Sequence, residues 1–164
     1  MPTVTLDTNI LPFEPFRTAL KSKGFEFAIV SVTSLELGSS GLRAVVQRVG
    51  IVPETAVWNA SPFGVGLYGG TPDDRRLERI LQVITNGSFP VDRAELTDNE
   101  RHQLRDAMIF YAHVRDKRDI FVTDDVRGFI DHGRREALQS EFETKIMTGA
   151  EFAAAYGVNG PSDR

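Results

Sequence analysis

A chain of 164 residues, 41% hydrophobic and 26% charged, is long enough for one domain with a substantial core and too short for two independent ones. No segment approaches the roughly 20 uninterrupted apolar residues of a membrane span, and the amino terminus enters a strand with no basic and apolar leader, so no membrane contact and a cytoplasmic home are expected. A net charge of −4 gives no global attraction for nucleic acid, and the absence of cysteine excludes thiolate chemistry, leaving oxygen or imidazole to hold any metal.

Val4 to Leu6 reads as a short strand, and Asp7, Thr8 and Asn9 follow it with a carboxylate, a hydroxyl and an amide. Pro12 and Pro15 break the next segment, a short helix is expected from about Phe16 to Lys23, and Gly24 ends it. Phe25 to Val30 is a second strand, and Thr33 with Glu36 forms a capping box that opens a helix. Leu42, Val45, Val46 and Val49 continue a helical stripe that Gly50 closes, and Ile51-Val52 is a short strand. Trp58 to Gly70 is rich in glycine and aromatics without a period and reads as a loop, suited to a lid or a dimer contact. Its Gly-x-Gly pattern lacks the Lys and Ser/Thr of a phosphate-binding loop.

Thr71-Pro72-Asp73-Asp74 starts a helix with apolar Leu77, Ile80, Leu81 and Ile84, ended by Gly87. Thr97 and Glu100 box the start of a long helix reaching about Lys117, with Leu104, Met108 and Tyr111 on one face. Ile120 to Thr123 is a strand with Asp124 and Asp125 at its end. Lys145 to Met147 is a last strand, and Thr148 with Glu151 caps a terminal helix to about Gly157. Such alternation predicts a single-domain α/β fold, a mostly parallel central sheet covered on both faces as an α/β/α sandwich.

Four acidic positions stand out against that pattern. Asp7 and the Asp124-Asp125 pair follow strands, so in one parallel sheet they share the edge where ligands bind. Glu36 lies on a helix start and Asp106 lies within the long helix. Taken singly each has a plainer role: Glu36 completes a capping box, Asp106 pairs with a neighbouring Arg or with His102, and Asp125 caps the next turn. A cluster of carboxylates in one crevice repels itself and recruits protons or a hard cation. His102, His113 and His132 show no zinc spacing and read as structural or surface residues.

Leu6-Asp7-Thr8-Asn9, Thr33 to Leu37, Asp106 to Ile109 and Phe121 to Asp125 together resemble, in order, the four acidic motifs of PIN-domain proteins. Lys145 to Thr148 with Glu151-Phe152 is similar to that family's last strand and helix. The likeness runs from Val4 to about Tyr156, so a PIN-like nuclease domain is expected over 1–157, with the loop at 58–70 inside it and a short tail at 158–164. The resemblance implies a Mg2+- or Mn2+-dependent endoribonuclease that hydrolyses RNA to a 3′-hydroxyl and a 5′-phosphate. Asp7, Glu36, Asp106 and Asp125 would be its catalytic, metal-binding acids, and Asp124 is the alternative fourth acid. Phe129 stands four residues after Asp125, where the family commonly has Phe three after its acid, and that spacing leaves both open. Thr8, Asn9 and Thr123 would orient the acids or touch phosphate, and Arg127 would hold the backbone. As a small member the chain resembles VapC-like toxin ribonucleases, which implies a homodimer and an antitoxin protein partner.

Three other classes are weighed against this. A haloacid-dehalogenase-like phosphatase needs an acid two residues after its nucleophile, where this chain has Asn9. A serine hydrolase needs a Gly-x-Ser-x-Gly elbow, which is absent from the chain. A non-catalytic PIN-like module that binds RNA or protein is the stronger rival, and the presence of all four acids favours the enzyme.

Overall fold

The computed structural model describes residues 1–10, 22–30, 50–52, 55–56, 67–68, 71–91 and 95–157. Its frame is a parallel sheet of β1 (Thr3–Leu6), β2 (Glu26–Val30), β3 (Gly50–Val52), β6 (Ile120–Val122) and β7 (Lys145–Met147), in the order β3-β2-β1-β6-β7. The first three strands run outward from the centre in one direction. The chain then returns to the other side of β1, where Val4, Thr5 and Leu6 pair with Ile120, Phe121 and Val122. All of these pairings are parallel, so the mostly parallel sheet expected from the alternation is wholly parallel among the described strands.

Side chains alternate between the faces of a strand, and the core divides accordingly. Ala28, Val30, Phe121 and Ile146 point to one face, where α1 (Thr71–Ile84), α2 (Asp98–Arg115) and α3 (Arg134–Phe142) cover them. Leu77, Ile80, Leu81 and Ile84 of α1 are all buried there, as their spacing predicts. Val4, Leu6, Phe27, Ile29, Ile120, Val122 and Met147 point to the other face and pack on Phe25 and on Phe152 of α4 (Gly149–Tyr156). Helices therefore lie against both faces, an arrangement compatible with an α/β/α sandwich. No helix among the described residues is long and apolar enough to cross a membrane.

Both carboxyl-terminal capping boxes form: Thr97 accepts from the Glu100 N–H while Glu100 accepts from the Thr97 N–H, and Thr148 and Glu151 do the same. Gly24 (φ +75°) and Gly87 (φ +76°) take the left-handed conformation that ends a helix at little cost to glycine. Four expectations need correction. α2 stops at Arg115, two residues early, because Asp116 caps it and Lys117 turns left-handed (φ 49°). β3 begins at Gly50, one residue ahead of the expected Ile51-Val52. The expected loop at 58–70 contains β5 (Leu67–Tyr68), which pairs in parallel with β4 (Thr55–Ala56). The fourth is an omission: α3 and a five-residue π-turn, Val126–Ile130, fill a stretch with no expected element. The helices expected at about 16–23 and 42–49 and the Thr33–Glu36 box lie outside the described residues, apart from the end of the first at Ser22.

Candidate functional site

β1 and β6 are sequence-distant neighbours, and the strand order reverses between them. In an open parallel sheet the carboxyl ends at such a switch leave a crevice, because the connections depart in opposite directions. Asp7 leaves β1 at that point, and Thr123, Asp124 and Asp125 leave β6 beside it.

Asp7 is 3% exposed, and burying its carboxylate requires hydrogen-bond donors. The Thr123 hydroxyl donates to Asp7 Oδ2 at 2.7 Å, and Asn9 Nδ2 donates to the same oxygen at 3.3 Å. Thr123 Oγ1 in turn accepts from Asn9 Nδ2 at 3.3 Å and from the Asp125 N–H at 3.1 Å. One hydroxyl has one proton and two lone pairs, so Thr123 is fully used as the link between the ends of two strands. Asn9 Oδ1 accepts from the Asp124 N–H at 2.9 Å. That bond fixes the amide with its nitrogen toward Asp7, and an Asp at position 9 would set a second carboxylate against the first. The expected orienting roles of Asn9 and Thr123 thus have a geometric basis. Thr8 begins the single 3-10 turn Thr8–Ile10, and its side chain lies outside those described.

The two candidates for the fourth acid part company. Asp124 is exposed, and its Oδ1 accepts from the Gly149 N–H at 2.9 Å, which ties the turn after β6 to the first turn of α4. Asp125 caps the π-turn, with Oδ1 accepting from the Gly128 N–H at 3.0 Å, as its plainer reading anticipated. A Cβ on Gly128 would stand 2.3 Å from Asp125 Oδ2, so this glycine makes the room in which the carboxylate sits. Asp125 also shares with Asp106 the wall of a cavity of about 530 Å3. Arg127 lines that cavity as well, and neither Asp7 nor Asp124 does. Glu36 lies outside the described residues.

Several lining residues were not expected at the site: Asn99 and Gln103 carried no role, and His102 read as a structural or surface residue. With Asp106 they occupy i, i+3, i+4 and i+7 along α2, a polar stripe as legible as the apolar one but easily dismissed as a solvated face. His132 joins them from the turn after the π-helix, held left-handed at φ 58°, and nothing local in the sequence signals that position.

Arg134 also lines this cavity, and it and Arg135 are engaged in structural contacts. Arg135 grips both carboxylate oxygens of Glu151 at 2.9 and 2.8 Å, an interaction that holds Glu151 below the usual carboxyl range together with the Thr148 N–H. Arg134 donates to the backbone carbonyls of Val83, at 3.2 Å, and of Arg127, pinning the π-turn to the end of α1. His113, expected to be structural, is fully buried beneath Thr5.

The donors around the crevice are hard oxygens, the set that Mg2+ and Mn2+ accept. Among the described residues no three His, Asp or Glu side chains lie close enough together to hold an ion. No family model, curated protein or solved structure matches the chain.

Proposed function

We propose that the chain is a Mg2+- or Mn2+-dependent endoribonuclease with a PIN-like α/β/α fold, acting at the crevice between the ends of β1 and β6. The observation that carries this reading is the hydrogen-bonded link Asp7–Thr123–Asp125, which draws acids from two strands to one switch point. Asp106 and Asp125 both line the neighbouring cavity. In this reading Asp7, Glu36, Asp106 and Asp125 supply the ligands, and because the three described acids do not stand close enough together to grip one ion directly, at least one of them acts through water. A bound cation would lower the pKa of a water and neutralise charge on the scissile phosphate. Thr123 and Asn9 keep the Asp7 carboxylate aimed, and Arg127 at the cavity wall contacts the RNA backbone. A homodimer silenced by an antitoxin protein belongs to the same proposal, supported by the sequence resemblance alone.

The second reading, a non-catalytic module that binds RNA or protein, draws on the fact that Asp124 and Asp125 already serve as backbone caps. One experiment decides between them. With Mn2+ the protein should cut single-stranded RNA, and Asp7→Asn should reduce the rate by more than about 100-fold, since even partners one bond removed from a metal are worth roughly 10–100-fold. No cleavage, together with unaltered Mn2+ affinity in Asp7→Asn, would leave the binding module as the better account.

A further inference from the structure

We infer that the cavity beside Asp125 is a pocket for one unpaired nucleotide of a single-stranded RNA, read at its base edge by Asn99 and Gln103; this deepens the nuclease reading and rests on it for the identity of the strand. The cavity runs along the first two turns of α2, from Asn99 at its mouth past His102 and Gln103 to Asp106 at its inner end. Its volume of about 530 Å3 lies within the roughly 300–1,000 Å3 range of small-ligand pockets. It is a half-open concavity large enough to receive a flat heterocycle.

The lining chemistry is selective. Carboxamides pair with the donor and acceptor edges of bases, and imidazoles such as His102 and His132 stack against base faces. Asn99 takes no part in the capping box of α2, which uses Thr97 and Glu100, so no helix-forming duty accounts for an amide there. Arg127 joins the lining from the π-turn that Asp125 caps, with Asp131 and Arg134 from the residues that follow it. A phosphate held between Arg127 and the acids would place its neighbouring base in the pocket. Bases of a double helix cannot enter: the major groove of A-form RNA is too narrow for side chains, and its paired edges are occupied. The pocket thus selects single strands and sets a base preference next to the cut.

The test uses the full chain carrying Asp7→Asn, so that substrate survives, with fluorescent single-stranded oligoribonucleotides of A, C or U and an A:U duplex. Binding is read by anisotropy with Mn2+ present. The parent should bind one homopolymer best and the duplex weakest. Adding Asn99→Ala and Gln103→Ala should weaken the preferred strand about tenfold and flatten the preference, whereas Arg127→Ala should weaken all single strands alike. Both amides are exposed or half-exposed, and unchanged melting curves would confirm folding. If the amide variants bind every strand as the parent does, or the duplex binds as tightly, the pocket assignment is overturned. The nuclease reading then survives wherever the unsubstituted protein still cuts RNA. If instead the amides control binding but the unsubstituted protein never cuts, the pocket stands and the nuclease reading fails.

Discussion

Lowering the pH from 7 to 5 should cost this fold about 2 kcal/mol through a single side chain, His113. It lies inside α2 with no exposed surface. Arg118 Nε donates to Thr5 Oγ1 at 3.0 Å, leaving the Thr5 proton for His113 Nδ1 at 2.8 Å. On the other side Nε2 lies 2.6 Å from Thr144 Oγ1, whose proton goes to the Arg118 and Asp119 carbonyls, so Nε2 carries the hydrogen. Each polar atom is satisfied by the neutral ring. Burial first, and then the Arg118 guanidinium, lower its pKa from 6.5 to about 3, with Asp119 opposing. The sign follows directly. Below pH 6.5 the unfolded chain takes a proton that the folded chain refuses until about pH 3, so stability is complete above that window and drains through it. At about 1.4 kcal/mol per pH unit once well below 6.5, the drop between pH 7 and 5 comes to about 2 kcal/mol. Urea unfolding of the parent and of His113→Gln at both pH values isolates it, because every other titrating group is common to the two. The parent should lose about 2 kcal/mol more than the variant. Equal losses would mean that His113 protonates within the folded protein, and the buried circuit would be wrong.

Two further outcomes bear on the acids. Gly128→Ala forces a methyl group toward Asp125 Oδ2, so Mn2+ affinity or cleavage should fall roughly 10–100-fold while the far-ultraviolet spectrum is retained; an unchanged Mn2+ titration would remove Asp125 from the site. Asp124→Ala should cost about 1 kcal/mol in urea unfolding by leaving the Gly149 N–H at the start of α4 without its carboxylate acceptor, and should leave Mn2+ binding alone. Asp125→Asn should do the reverse, weakening Mn2+ binding, and the opposite pattern would make Asp124 the fourth acid.

What could be read from the residues was local. The Thr97–Glu100 and Thr148–Glu151 boxes complete themselves within four residues, and the stripe Leu77–Ile84 declares its buried face by spacing alone. α3 gives no such signal. Its preceding residue is Gly133 with no side-chain cap, and Leu138 is the sole fully buried apolar side chain among its residues. The β4–β5 pair depends on a register between segments that neither segment encodes. Arg118, buried against Val4 O and Glu26 O, looks like any surface arginine until three strand ends are brought together. At the candidate site Asp7, Asn9 and Thr123 were legible because strand ends in a parallel sheet converge. The division of labour between Asp124 and Asp125 was not, since it depends on which later helix each carboxylate meets. The α2 stripe from Asn99 to Asp106 was visible in principle and was passed over because polar residues on a helix ordinarily mean solvent.

The strand order gives Asp7 its significance. Were β1 at an edge, its terminal carboxylate would face water and could be a cap and nothing more. With β6 and β2 on either side, the carboxylate is buried at the point where connections diverge, and Thr123 and Asn9 both donate to one of its oxygens. Those same two residues hold the backbone of Asp125 and Asp124. The backbone that carries the second strand's acids is thus held by the groups that hydrogen-bond the first strand's acid. A change at Thr123 therefore cannot be confined to one acid: losing its hydroxyl strips Asp7 of its shortest donor and releases the Asp125 N–H in the same step.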